Sequence, residues 1–91
     1  MKKVITIYSD PGHAWGKVLR SELKELGILD KISAFSYQRK CHVYLEEDCD
    51  LQLYVNALKD KGIELRFKES FTKGHRRSKI RSYDSFKVIL D

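Results

Sequence analysis

The chain has 91 residues, the length of one small domain with a single hydrophobic core. Its composition, 42% hydrophobic and 34% charged, is typical of a folded globular protein rather than a disordered one. The net charge of +5 is unevenly distributed: residues 1–40 and 68–91 each carry +4, whereas residues 41–67 carry −3. This asymmetry favours binding to a polyanion or to a partner with complementary charged patches.

Membrane proteins and disulfide-stabilised secreted proteins are disfavoured by the same data. The apolar runs are too short to cross a membrane, and the first residues lack the apolar region of a signal peptide. Two cysteines, Cys41 and Cys49, are too few for a disulfide scaffold. We therefore expect reduced, at least half-buried thiols in a cytoplasmic protein that has no membrane partner.

The beginning of the chain predicts a strand, a turn and a helix. Val4–Tyr8 is mostly apolar and β-branched, as in a buried strand. The following loop, SDPGHAWGK, contains the only Pro and the only Trp of the chain. From Ala14 or the next residue onward, apolar residues recur at helical spacing and predict a helix that ends at Gly27. The apolar positions are Trp15, Leu19, Leu23 and Leu26.

The rest of the core predicts two strands, a second helix and a last strand. The strands are expected at Ile32–Tyr37, Cys41–Leu45 and Ile63–Phe67, with QRK as a turn between the first two. The second helix would begin near Asp48 or Asp50 and end at Gly62, where LKDKGI nearly repeats the first helix ending, LKELGI. The order βαββαβ predicts an α+β protein with the ferredoxin-like sandwich, in which an antiparallel four-stranded sheet carries both helices on one face.

The chain is expected to form a single domain, 1–91, with a core at 1–67 and a basic extension at 68–91. The extension reads as an ordered but exposed loop, and Phe86–Leu90 is a candidate edge strand.

Local motifs predict no metal and no cofactor. The cysteines and histidines do not fall at zinc-ligand spacings. Cys41 and His42 are adjacent on a predicted strand, so their side chains would point to opposite faces and could not form a nucleophile–base pair. The first loop matches neither glycine-rich phosphate motif, so Asp-Pro-Gly at 10–12 is interpreted as a turn.

Asp10 also supports an enzymatic alternative. It follows the first strand, where the small ferredoxin-like CRISPR-associated nucleases of the Cas2 type place a metal-binding aspartate. In a homodimer, two such carboxylates could hold a divalent ion that activates water. The rest of the chain does not resemble that family, so a turn residue is the preferred interpretation.

Two charged sets are candidate binding sites, and a solvated surface is the alternative for each. The basic set, with nearby aromatic rings, suits nucleic-acid phosphates and bases or a protein partner. It comprises Lys73, Arg76, Arg77, Lys79, Arg81 and Tyr83. The polar and acidic set would bind a partner, although its acids also suit a helix N-terminus. It comprises Asp10, His13, Arg39, Glu46, Glu47, Asp48 and Asp50.

Four motifs, YSDPGHAW, SYQRK, VYLEEDCD and SKIRSYDSF, resemble those of small, mostly uncharacterised proteins of bacteriophages and prophages. The similarity covers most of the chain and carries no established catalytic residues. It implies an accessory protein in the host bacterial cell that binds a host protein or nucleoprotein, as anti-CRISPR inhibitors of host defence do. We therefore expect binding rather than catalysis, with direct nucleic-acid binding and a metal-dependent nuclease as the alternatives.

Overall fold

A computed structural model describes residues 2–71 and 79–87. The strands are β1 (Lys2–Ser9), β2 (Ala14–Leu19), β3 (Tyr37–Arg39), β4 (His42–Glu46), β5 (Glu64–Phe71) and β6 (Asp84–Ser85). The helices are α1 (Arg20–Glu25) and α2 (Asp50–Asp60), and short 3-10 helices lie at Leu29–Lys31 and Lys79–Ser82. Within this part of the chain, the strands form one sheet of order β5–β1–β2–β4–β3–β6. Strands β1 and β5 are parallel, and all other neighbours are antiparallel. The predicted α+β class is confirmed, whereas the strand order differs from that of the ferredoxin-like sandwich.

The difference begins at β2, which the helical pattern predicts as the start of the first helix. Gly16 pairs with Ile7 of β1 on one side and with Leu45 of β4 on the other, so β2 lies inside the sheet. Leu19, expected in the core, is 42% exposed. The helix prediction for residues 14–19 is therefore wrong, and α1 is confined to Arg20–Glu25.

Both helices end as the repeated sequence predicts. Gly27 and Gly62 have φ angles of 75° and 71°, the left-handed conformation that glycine adopts without a Cβ clash. The amide of Ile28 donates to the Leu23 carbonyl at 3.0 Å, and the amide of Ile63 donates to the Leu58 carbonyl at the same distance. These matching hydrogen bonds confirm the predicted helix ends.

The strand predicted at Ile32–Tyr37 is mostly a looped segment. The carboxylate of Asp50, at the start of α2, accepts hydrogen bonds from the Ser33 amide, the Ser33 hydroxyl and the Ser36 hydroxyl. These bonds satisfy polar groups of the segment locally, so only its last residue joins β3. The turn to β4 falls at Lys40, with φ of 55°, and the residue after it, rather than at QRK.

The two faces of the sheet carry separate apolar clusters, because successive strand residues point to opposite sides. On one face, here called the helix face, both helices pack against the sheet; its buried members include Ile5, Val18, Leu23, Val43, Leu45, Tyr54 and Leu58. The opposite face, here called the outer face, carries an aromatic cluster of Tyr8, Trp15, Tyr37, Tyr44 and Tyr83 together with Ile80.

The basic extension is only partly the exposed loop that was expected. Strand β5 runs past the predicted boundary at residue 67 and ends at Phe71. Ile80 and Phe86 are both buried, the first in the aromatic cluster and the second in the core of the helix face. The extension supplies an edge strand, but at Asp84–Ser85 instead of Phe86–Leu90, of which residues 88–90 lie outside the described part.

Across residues 2–71 and 79–87, no helix is long and apolar enough to cross a membrane.

Candidate functional site

A buried ion pair joins the first loop of the chain to the C-terminal extension. The Nε and Nη2 atoms of Arg81 donate to the two carboxylate oxygens of Asp10 at 2.6 and 2.9 Å. The Asp10 side chain is 1% exposed and that of Arg81 is 21% exposed. The guanidinium also lies over the Trp15 ring, 5.3 Å from its centroid. Hydrogen bonding to the Asp10 carboxylate raises the pKa of Arg81, so the guanidinium remains charged.

The same carboxylate shapes the β1–β2 turn that presents His13. Asp10 Oδ1 accepts from the amides of Gly12 at 2.9 Å and His13 at 3.0 Å. The amide of Asp10 in turn donates to the His13 carbonyl at 2.9 Å. Asp10 is thus a turn residue, as preferred from the sequence, and Arg81 occupies the carboxylate oxygens that a metal ion would need.

A cleft of about 290 Å³ opens beside this turn, between the ends of β2 and β4 and the start of α2. It is lined by His13, Trp15, Phe35, Tyr37, Glu46, Asp48, Cys49 and Arg81. Trp15 is a buried member of the aromatic cluster, and its ring lies edge-on to that of Tyr37 with 6.0 Å between the ring centroids. Its indole N–H is buried and has no hydrogen-bond acceptor among the described residues.

Three potential ligand groups converge in the cleft. His13 Nδ1 lies 3.7 Å from Glu46 Oε1, and ligand atoms of His13, Glu46 and Asp48 all lie within 4.8 Å of one another. Glu46 is only 8% exposed, and its second oxygen accepts from the Asp48 amide at 3.0 Å. This bond fixes the Glu46 carboxylate, which therefore turns one oxygen towards His13.

Cys49 lies at the edge of the cleft and is not an activated nucleophile. Desolvation and the nearby carboxylate of Glu46 raise the pKa of its thiol, with smaller contributions from Asp50 and Asp48. A thiol with a raised pKa is protonated at neutral pH and reacts poorly. Both cysteines are free, and both are exposed, contrary to the expectation of at least half-buried thiols.

The predicted polar and acidic set is split by the structure. His13, Glu46 and Asp48 meet in the cleft, with Asp10 in the turn below them. Asp50 is buried and bonded to Ser33 and Ser36, which gives it a structural role. Glu47 is exposed outside the cleft, and Arg39 lies on the outer face over the Tyr83 ring.

The predicted basic set is divided as well. Arg81 is committed to Asp10, and Tyr83 packs on Tyr44 in the aromatic cluster at 5.0 Å. Lys79 is exposed. Lys73, Arg76 and Arg77 lie outside the described residues.

The sequence interpretation missed a basic surface on the outer face. Strand register places cationic and apolar side chains from neighbouring strands in two transverse rows, here called the basic rows. One row contains Lys68, Thr6, Lys17, Tyr44 and Tyr37. The next consists of Arg66 paired with Val4 on one side and of Leu19, His42 and Arg39 in register on the other. Neither row contains a carboxylate. The rows depend on β2 being a strand, so the helical reading of residues 14–19 concealed them.

A contact between Cys41 and His42 also contradicts the sequence interpretation. The Cys41 sulfur lies 3.6 Å from His42 Nδ1. Cys41 belongs to the β3–β4 turn rather than to the strand, so the alternation rule does not separate the two side chains.

Comparison with protein-family models, curated proteins and solved structures finds no match for this chain.

Proposed function

We propose that this protein binds single-stranded nucleic acid through the basic rows on the outer face of its sheet. The observation that carries the proposal is the alignment of four permanent cations, Lys17, Arg39, Arg66 and Lys68, in two adjacent rows that contain no acid. Phosphate groups are the natural partners of such a surface, because each contact releases condensed counterions.

The dimensions of the surface suit an extended strand. Neighbouring β-strands lie about 4.8 Å apart, so a row of five strands spans roughly 20 Å. Val4, 62% exposed, pairs with Arg66, and Leu19, 42% exposed, pairs with His42. Exposed apolar side chains between phosphate-binding cations can contact unpaired bases, which a duplex keeps inside its stack.

The charges of the rows are available to a ligand. Within residues 2–71 and 79–87, Lys17, Arg39 and Lys68 form no salt bridge, whereas Arg66 pairs with Glu64 at 3.0 Å in an exposed position. Exposed pairs of this kind contribute less than about 1 kcal/mol and exchange readily for a phosphate. Partial burial and the charge of Lys17 lower the pKa of His42, which keeps this imidazole neutral at neutral pH.

Binding can be measured by fluorescence anisotropy with labelled single-stranded DNA and RNA and with a duplex of the same sequence. The triple variant K17A/R66A/K68A removes three cations from the basic rows. For single strands the logarithm of affinity falls by about 0.7 per phosphate contact for each decade of salt, so the variant should reduce that slope by about 2.

A matched control is offered by Lys24, Lys31 and Lys59, which are exposed on the helices and the connecting turn. The variant K24A/K31A/K59A loses the same total charge and should keep the wild-type salt slope. Equal losses in both triple variants would assign any binding to net charge alone. No salt-dependent binding by the wild type would contradict the proposal.

The inhibitory role expected from the resemblance to phage proteins is a second proposal that the basic rows support. A surface that binds a single strand would attach the protein to the nucleic acid of a host defence nucleoprotein. Pull-downs from host lysate, with and without nuclease treatment, test this directly. Recovery of a stoichiometric partner that disappears with nuclease or with K17A/R66A/K68A is expected. A partner that survives both would show that the target is a protein surface.

A further inference from the structure

We propose that His13, Glu46 and Asp48 form a binding site for a divalent transition-metal ion, with Zn²⁺ as the ion that the donor set fits best. One imidazole nitrogen and two carboxylates are donors that Zn²⁺ takes in proteins, whereas Mg²⁺ and Ca²⁺ prefer oxygen alone. The local sequence patterns hide this site because its residues come from the β1–β2 turn and from the end of β4 with the turn after it.

The spacing of the three groups matches a metal site before the ion enters. Ligands about 2.1 Å from a metal ion lie roughly 3.0–3.4 Å from one another. The separation of His13 Nδ1 from Glu46 Oε1 is 3.7 Å, and no ligand atom of the set is more than 4.8 Å from another. Small side-chain rotations of the exposed His13 and Asp48 close these gaps without moving the backbone.

The surroundings hold the donors in place, as metal sites require. Glu46 is almost fully buried and fixed by the Asp48 amide, so its oxygen beside His13 is pre-positioned. The turn carrying His13 is held by the carboxylate of Asp10, which Arg81 binds in turn. The charge of Arg81 is compensated by Asp10. The charge left beside the imidazole is therefore that of the Glu46 and Asp48 carboxylates, which balances a divalent ion.

Trp15 and Cys49 line the same cleft. The indole N–H of the buried Trp15 has no acceptor among the described residues, and the His13 ring lies 6.1 Å from the Trp15 ring. Cys49 borders the same cleft and places a thiol beside the three donors. Three protein ligands leave at least one coordination position for water or an external ligand.

This inference is independent of the proposed function. The metal-binding residues share no member with the basic rows, although Tyr37 borders both surfaces. The variant K17A/R66A/K68A should still bind Zn²⁺ if it loses nucleic-acid binding. Likewise, His13→Ala should still bind nucleic acid if it loses Zn²⁺ binding.

The test uses the full chain titrated with ZnCl₂, followed by calorimetry and by the fluorescence of Trp15, the single tryptophan. One equivalent should bind and change the emission. MgCl₂ and CaCl₂ should produce neither effect at the same concentrations. His13→Ala and Asp48→Asn, both at exposed positions, should weaken Zn²⁺ binding at least about tenfold.

Two control variants test an acid and an imidazole outside the site. Glu47→Gln changes an exposed acid outside the cleft, and His42→Asn removes the imidazole beside Cys41; both should bind like the wild type. Co²⁺ absorption spectra should change in His13→Ala and Asp48→Asn but not in these controls. Zn²⁺ binding that is absent in the wild type, unaffected by His13→Ala or abolished by His42→Asn would overturn the proposal.

Discussion

Replacing Arg81 by Ala should destabilise the fold more than replacing any other arginine within residues 2–71 and 79–87. The substitution leaves the Asp10 carboxylate, whose side chain is 1% exposed, without its partner in two charged hydrogen bonds. Breaking a buried ion pair in this way costs about 3–5 kcal/mol, and the partial exposure of Arg81 places the expected cost near 3 kcal/mol. A domain of this size has roughly 5–14 kcal/mol of total stability. Each kcal/mol lost lowers the midpoint of thermal unfolding of such a domain by about 4–8 °C, so a loss near 3 kcal/mol should lower it by about 12–24 °C.

The assay is urea denaturation followed by Trp15 fluorescence, with Arg39→Ala as the matched control. Arg39 also lies over an aromatic ring, at 5.1 Å from Tyr83, but it is exposed and has no carboxylate partner among the described residues. Its loss should cost less than about 1 kcal/mol. A double-mutant cycle with Asp10→Ala should show a coupling well above the 0.3–0.5 kcal/mol expected of independent sites. Equal costs for the two arginine variants, or an additive cycle, would refute this reasoning.

Three further predictions concern packing, hydrogen bonding and pH. Gly16→Ala would place a Cβ 2.8 Å from Leu51 Cδ1, so overpacking should cost about 1–3 kcal/mol in urea denaturation; wild-type stability would contradict the strand assignment of β2. Tyr54→Phe removes the hydroxyl that donates to Glu22 at 2.6 Å and should cost about 1–2 kcal/mol, whereas a neutral result would show that this bond is dispensable. Burial, with the neighbouring Tyr83, raises the pKa of Tyr44 to about 12 from the ordinary 10.0. Its contribution to stability should therefore be complete below pH 10 and lost as the pH rises towards 12, which a denaturation series across this range can measure.

The elements that local chemistry determines were predictable from the sequence. The apolar run of β1, the alternating residues of β4 and the glycine-terminated end of α2 all appear where the sequence places them. Each has a signal within a few residues, either a β-branched run or a glycine with positive φ.

The second strand was not predictable from the same signals because its stability is non-local. Trp15 and Leu19 fit a helical stripe, but β2 is held between β1 and β4, and β4 is distant in sequence. The short Asp-Pro-Gly loop was the one available indication, since such a loop between apolar runs also predicts a hairpin. Reading it as a strand-to-helix corner removed a strand from the sheet and changed its order.

The candidate sites were also predictable only where they depend on local sequence. The sequence identified the charged residues of the cleft individually, yet it could not separate Asp50, which bonds Ser33 and Ser36, from Asp48, which faces His13. Burial and hydrogen-bond partners distinguish the two aspartates, and both depend on the tertiary fold. The basic rows could not be predicted from the sequence either, because they exist only when β2 is a strand of the sheet.

The cover that Ile80 and Tyr83 form over Trp15 and Tyr44 sets an order of events during synthesis. Chains emerge from the ribosome N-terminus first, so the strands beneath this cover exist before the residues that bury them. Until the extension arrives, the nascent protein presents a bare aromatic sheet surface, the kind of surface that associates with other chains. Premature termination before Ile80 should therefore yield a product that aggregates or engages chaperones, because it lacks Ile80 and Tyr83 on the outer face and Phe86 in the core of the helix face.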